Sequence, residues 1–379
     1  MNNNNVICNR CIMDTTIEDI WFDENGVCKF CYIHDEMDKT HPLGTEGHVK
    51  FNSIISMIKE NGKNKKYDCI VGVSGGRDST YTLLTAAKSG LRPLAVHFDN
   101  GWNSKIAVEN IQKATTKLNV DLHTIVADWE EMKALQRAFL KASVPDADVP
   151  TDYAIYSVLF ETALQEDIKF ILNGHSFRTE GTSPISWTYM DGKYINDVLS
   201  KYGEIRKIKS FPILSMSRLL YITLIKKVKE VRLMEFIDYK KKDVDKILEK
   251  ELEWKYYGGH HHENTYTEFF QSYLLPRKFN IDKRKTELSA LVRTDQIKRE
   301  DALKEIHITE YEFNNEIVDY AISKLGFTKF EFEEIYNLPI QTFNDFKSYF
   351  SVIKALKLPI KLACNLHILP KIFYLKYAK

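Results

Sequence analysis

The sequence predicts an α/β chain built on a doubly wound parallel sheet, followed by a mainly helical region. Three observations predict it. Between residues 67 and 173, short β-branched runs alternate with segments of helical spacing, the pattern of a parallel sheet covered on both faces. A glycine-rich turn joins the first such run directly to the first helix. Beyond about Ser176 the alternation fades, and helical spacing dominates to Lys379.

The elements follow in order. Asp68–Ser74 (DCIVGVS) reads as a buried strand, and Ser79–Lys88 as a helix stopped by Gly90. Pro93–Phe98 is a second strand; Ser104–Leu118 is a helix with Ala107, Ile111, Ala114 and Leu118 on one face. Leu122–Ala127 is a third strand, after which Asp128 and Glu131 form a capping box for a helix through Leu140. A helix at Tyr153–Gln165 leads to a strand at Ile168–Asn173. Before the first strand, residues 39–66 read as a linker with a short helix at Ser53–Lys59. After the last, Ser183–Tyr202 is rich in aromatic and turn residues, and Lys241–Leu252 and Thr309–Leu325 are helices. Ligands of such a sheet are expected at the strand C-termini.

The 379 residues are too many for one ordinary core, so a large domain with appended units is expected. Lys plus Arg total 53 against 52 for Asp plus Glu; no broad basic field marks a nucleic-acid partner, and none is expected. Leu219–Val231 is the most apolar long stretch, but Lys226, Lys227, Lys229 and Glu230 interrupt it. Its Leu219, Leu220, Ile222, Leu224, Ile225 and Val228 read as one buried helix face, and no membrane partner is expected. The polar Met1–Asn5 run is not a signal peptide, so a cytoplasmic location is expected.

Cysteine spacing carries the first chemical signal. Cys8-x₂-Cys11 and Cys28-x₂-Cys31, sixteen residues apart, have the spacing of a four-thiolate zinc ribbon. Four thiolates close the tetrahedron, so a zinc here is structural; an iron–sulfur cluster uses the same ligands and stays open. His34 and His41 lie near and are not needed.

The turn Val71-Gly-Val-Ser-Gly-Gly-Arg-Asp-Ser79 carries the second. Gly75 and Gly76 let the backbone approach an anion, and the new helix points free N–H groups at it. Ser74 and Ser79 add hydroxyls, Arg77 a cation, and Asp78 a carboxylate that Mg²⁺ would bridge to phosphate. No lysine stands where the Walker loop requires one. Ser-Gly-Gly-Arg-Asp-Ser resembles the PP-loop of the ATP pyrophosphatase superfamily, whose members adenylate a substrate and expel pyrophosphate. The resemblance implies an adenine nucleotide alpha hydrolase-like fold with bound ATP. It also implies nucleotide contacts at two strand ends, His97 and Asp99 in His97-Phe-Asp-Asn-Gly101, and Gly174 and His175 in Asn173-Gly-His175.

The later chain narrows the resemblance. Trp254-Lys-Tyr-Tyr-Gly-Gly259, Phe269–Phe279 (FFQSYLLPRKF), Asp282-Lys-Arg-Lys285 and Leu288–Leu303 look like the N-acetyl sugar amidotransferase family, which shares the double-CxxC ribbon and the loop. Its members resemble enzymes converting an acetamido group of a bacterial surface-sugar precursor, among them nucleotide-linked uronic acids and pseudaminic- or legionaminic-type acids, into an acetamidino group. The implied catalytic residues are Asp78, Ser79, Lys278 and Arg284; the basic group Arg277, Lys278, Lys283, Arg284 and Lys285 either contacts phosphate or a sugar carboxylate or is a solvated face. One of His260, His261 and His262 is a further candidate; Trp254, Tyr256 and Tyr257 either stack on a ligand or pack in the core. A glutaminase needs an activated thiolate; Cys69 lies in a strand and Cys364 lacks a glycine elbow. Ammonia is therefore expected from a separate glutaminase with a cyclase-like barrel partner. The expected division is 1–38 ribbon, 39–66 linker, 67–205 nucleotide domain and 206–379 substrate or partner region. The alternatives are a thiolase-type tRNA-modifying PP-loop enzyme and a non-catalytic ribbon scaffold with a vestigial ATP site.

Overall fold

The computed structural model describes residues 5–259, 262–308, 313–366 and 371–378. Helix α1 (Lys29–Thr40) leaves the cysteine ribbon, and α2 (Gly44–Gly62) follows it. The expected short helix within 39–66 is thus 19 residues long, because Ile55 and Ile58 pack under the sheet and extend it. Then come β1 (Cys69–Gly72), α3 (Arg77–Lys88), β2 (Pro93–Asp99), α4 (Lys105–Leu118), β3 (Leu122–Val126), α5 (Trp129–Ala142), α6 (Val149–Gln165) and β4 (Phe170–Leu172).

The sheet is parallel throughout, in the order β3-β2-β1-β4, with a fifth strand beyond β4. Alternation divides the strands between two cores, as a buried pleat requires. Ile70, Leu94, Val96, Phe98 and Ile171 face α5 and α6; Cys69, Val71, Ala95, Phe170 and Leu172 face α3 and α4. β3 is a largely exposed edge, with Val126 70% exposed.

Beyond β4 lie α7 (Gly192–Tyr202), α8 (Met216–Leu220), β5 (Lys229–Val231) and α9 (Lys241–Leu252). Then come α10 (Thr265–Phe269), α11 (Leu275–Lys278), α12 (Arg284–Arg293), α13 (Arg299–Ile308), α14 (Asn315–Lys324) and α15 (Lys329–Tyr336). The last are α16 (Phe350–Ala355), α17 (Lys357–Asn365) and α18 (Lys371–Phe373).

Four expectations are corrected. Leu219–Val231 is not one buried helix face: α8 runs into a π-turn at Tyr221–Ile225, and Lys227 turns left-handed to launch β5. Ile222 and Val228 reach the core, whereas Leu224 and Ile225 are 67% and 68% exposed. The Ser183–Tyr202 stretch contains α7, started by the Asp191 side chain accepting from Tyr194 N–H. Asp128 caps α5, but Glu131 completes no box; its carboxylate accepts instead from the N–H groups of Lys209, Ser210 and Phe211. The helix expected at Thr309–Leu325 is Asn315–Lys324, its first four residues lying outside the described ones. Among the described residues, no helix is long and apolar enough to cross a membrane.

Candidate active site

The sheet order places β1 and β4 side by side at the point where the chain reverses direction, the crevice in which doubly wound sheets bind ligands. The Ser74–Ser79 turn leaves β1 there. Gly75 has φ +79°, and a Cβ on it would stand 2.2 Å from the Ala107 carbonyl oxygen, so only glycine fits. Its own carbonyl is held from behind by Trp254 Nε1 (2.9 Å) and Asn110 Nδ2 (3.2 Å). Ser79 Oγ accepts from Ser74 N–H at 3.1 Å, and Ser74 Oγ accepts from Gly76 N–H at 3.2 Å. The N-cap residue of α3 is Gly76, which has no side chain to cap the helix, so the positive end of the dipole stays open to attract an anion.

Two other strand ends converge on this turn. At the end of β2, His97 Nδ1 donates to the Val73 carbonyl at 2.8 Å, and Asn103 Nδ2 donates to His97 Nε2 at 3.0 Å. Both contacts suit a neutral ring, and burial holds the His97 pKa below its ordinary value. Asp99 accepts from Gly101 N–H (2.9 Å) and Asn103 Nδ2 (3.0 Å). At the end of β4, Asn173 Oδ1 accepts from His175 N–H at 2.9 Å, which turns the chain at Gly174. A Cβ on Gly174 would stand 2.8 to 2.9 Å from the Asp78 carbonyl and Ser79 nitrogen; the two turns touch backbone to backbone. His175 pairs with Glu180 at 3.4 Å.

Residues 239–257, with Glu263, lie against the turn from outside. Tyr239 donates its hydroxyl to the Asp78 carboxylate. Arg77 forms a two-pronged pair with Asp245 of α9 and lies 5.7 Å over the Tyr256 ring, so its charge is engaged by protein. Tyr257 Oη accepts from Arg77 N–H at 3.4 Å. Glu263 brings Oε1 to 3.5 Å from Ser74 Oγ. Trp254 and Tyr257 pack in the core, one of the two roles considered for them, and they also brace the turn, which was not expected.

The basic residues after 276 distribute differently. Lys278 Nζ donates to the Ile335 carbonyl at 2.5 Å, and burial pushes its pKa down to about 8. Arg284 pairs with Asp282 at 2.7 Å, Lys285 with Asp14 at 2.7 Å, and Arg277 donates to the Ser272 carbonyl at 3.0 Å. Lys283 makes no ion pair with another described residue, and its charge acts on the buried Asp146. His262 lies 3.6 Å from Glu268; His260 and His261 lie outside the described residues. Sequence reasoning missed Tyr239, Asp245 and Glu263, which no motif marks and only tertiary packing brings to the turn.

The four N-terminal cysteines form a second centre. Their sulfurs all lie within 4.8 Å of one another, with Cys11–Cys28 at 3.6 Å and Cys8–Cys31 and Cys28–Cys31 at 3.8 Å. A tetrahedral ion with bonds of about 2.3 Å sets sulfur–sulfur edges of about 3.8 Å, so the quartet fits a single metal ion. Arg293 donates to Cys11 Sγ (3.2 Å) and Cys31 Sγ (3.3 Å), and Arg299 to the Cys8 (2.7 Å) and Cys11 (3.0 Å) carbonyls. With Ile12 packed on Leu288, Val292 and Ala302, these contacts tie α12 and α13 to the ribbon.

Residues 68–155, which hold the turn and the first strand ends, match the family described as queuosine biosynthesis protein QueC. The chain carries a PP-loop ATPase domain. Residues 263–357, beginning at the glutamate beside the PP-loop, match the WbpG-like C-terminal domain of LPS biosynthesis proteins. An uncharacterised protein of Methanocaldococcus jannaschii is 31% identical over 127 residues, which are 33% of this chain and 44% of that protein. The chain thus spans less than half the length of that curated relative.

Similar solved structures include the U34-tRNA thiolase NcsA of Methanococcus maripaludis with its [4Fe-4S] cluster, at 14% identity and TM-score 0.31, covering 89% of this chain and 90% of that one. The NH3-dependent NAD synthetase of Campylobacter jejuni has 15% identity and TM-score 0.28, covering 54% and 93%. A predicted tRNA methyltransferase subunit of Methanocaldococcus jannaschii has 13% identity and TM-score 0.27, covering 47% and 72%.

Proposed function

We propose that the chain converts an acetamido group of a bacterial surface-sugar precursor, free or nucleotide-linked, into an acetamidino group. The observation that carries this reading is the junction of the PP-loop with the WbpG-like region, at Glu263 beside Ser74. An amide carbonyl is a poor electrophile with a poor leaving oxygen. Transfer of AMP from ATP onto that oxygen releases pyrophosphate and leaves an imidate; ammonia then adds to the carbon, AMP departs, and the amidine remains.

In this reading the Ser74–Ser79 backbone, both hydroxyls and the α3 N-terminus hold the outgoing pyrophosphate. His97, Asp99, Gly174 and His175 frame the nucleotide from the neighbouring strand ends. Asp78 would hold Mg²⁺, which neutralises phosphate charge, and Tyr239 orients that carboxylate. Lys278 and Arg284, expected to be catalytic, are occupied by the Ile335 carbonyl and Asp282. Lys283 is the better candidate for an acidic group of the sugar. The ribbon metal is proposed to be zinc, with a structural role.

Ammonia is proposed to come from a separate glutaminase with a barrel partner. Four cysteines are committed to the ribbon, and Cys69 and Cys364 are buried. Burial also raises the Cys69 thiol pKa, which suits neither a glutaminase nor a thiolase nucleophile. The proposed division assigns 1–38 to the metal, 39–66 to a linker, 67–205 to the nucleotide and 206–379 to substrate and partner, with β5 lent back to the sheet.

The test is incubation with Mg·ATP, ammonium salt and a panel of acetamido nucleotide sugars. Mass spectrometry is expected to find amide oxygen replaced by NH in one sugar, with AMP formed in equal amount. AMP formation that depends on tRNA and on no sugar would instead support the thiolase-type alternative.

A further inference from the structure

The last described helices leave a row of aliphatic side chains uncovered. Val352, Leu356, Leu358, Leu362 and Leu366 are 47% to 76% exposed. Leu358, Leu362 and Leu366 recur every fourth residue along α17 and its final turn, so they form one stripe. Lys354, Lys357 and Lys361 are exposed among them. The opposite side is already used, since Ile360 and Cys364 pack with Ala378, and Phe346 and Phe350 turn into the main core.

Charge and composition identify the occupant. From Phe346 to Lys379 the chain has seven lysines and no aspartate or glutamate. Protein–protein interfaces favour aromatic residues, methionine and arginine and are depleted in lysine. This face offers leucine, valine and lysine, with its aromatic residues turned inward. Leucines flanked by lysines suit the boundary of a negatively charged bilayer, where the aliphatic row enters the acyl edge and lysine stems reach the headgroups.

We propose that this α16–α17 face docks the protein on an anionic lipid surface. The contact is peripheral and revises the expectation of no membrane partner. It does not depend on the proposed reaction.

The test is cosedimentation of the full chain with vesicles of phosphatidylcholine alone or mixed with phosphatidylglycerol. Binding is expected with the mixed vesicles alone and falls as salt is raised. Lys357→Gln and Lys361→Gln each weaken it roughly 5-fold. Leu358→Glu with Leu362→Glu weakens it at least about 10-fold, while melting temperature and pyrophosphate release stay at wild-type values. Equal binding to both vesicle types, or binding to neither, overturns the proposal. So does light scattering that finds a dimer which Leu362→Glu dissociates, because the face would then join two copies of the chain.

Discussion

Gly174→Ala isolates the contact on which the site geometry turns. Gly174 does not have a positive φ, so alanine brings no backbone strain there, only one methyl group. That methyl would stand 2.8 Å from the Asp78 carbonyl carbon and 2.9 Å from Asp78 O and Ser79 N. Ordinary carbon contacts fall at about 3.5–4.0 Å, so the β4 turn must retreat from the PP-loop by roughly 0.6–1 Å. Overpacking of this kind costs about 1–3 kcal/mol, which a chain with two large cores tolerates. A displacement of about 1 Å at a reacting centre lowers turnover by up to ~100-fold. Pyrophosphate release from ATP should therefore collapse while the thermal transition moves modestly and metal content is unchanged. Unchanged turnover would refute the claim that the β1 and β4 turns form one nucleotide site.

Further predictions concern the other contacts. Gly75→Ala combines a left-handed φ, a strain of about 1–3 kcal/mol, with a clash against the Ala107 carbonyl, and should abolish pyrophosphate release without loss of metal; retained release would remove the PP-loop assignment. Arg293→Met removes two hydrogen bonds to cysteine sulfurs and should weaken metal retention against a chelator by about 10–100-fold, an unchanged affinity showing that the arginine merely packs there. Lys283→Gln should raise KM for an acidic sugar while leaving KM for ATP alone, and equal KM values for the sugar would exclude it from the substrate pocket. For His97 the folded pKa lies below the unfolded 6.5, so the unfolded chain takes up the proton first. Stability should fall as pH drops below about 6.5, and His97→Gln should flatten that part of the profile.

The parts read correctly from sequence are those set by local pattern. β-branched runs, the glycine turn and the two CxxC pairs impose their structure within a few residues, so β1 to β4, the PP-loop and the cysteine quartet were all legible. Glu131 shows where local reading fails: its spacing from Asp128 suits a capping box, but the backbone N–H groups of Lys209–Phe211 offer its carboxylate three partners instead. Leu219–Val231 fails for a similar reason, because pairing with β4 pulls its end into a strand and leaves Leu224 and Ile225 in solvent. Tyr239, Asp245 and Glu263 lie more than 150 residues from the loop they brace, and nothing in their neighbours announces that contact. The basic run was legible as charge, yet its partners were not: Arg284 and Lys285 answer Asp282 and Asp14, and Lys283 makes no ion pair with another described residue.

The central claim is that ATP activates an amide oxygen, and isotope transfer tests it most directly. An acetamido sugar carrying heavy oxygen in its amide would be turned over with Mg·ATP and ammonium, and the nucleotide product analysed by mass spectrometry. Transfer of the label into the phosphate of AMP is the predicted result. Label recovered in inorganic phosphate alongside ADP, or retained in the sugar while ATP is consumed, would contradict it.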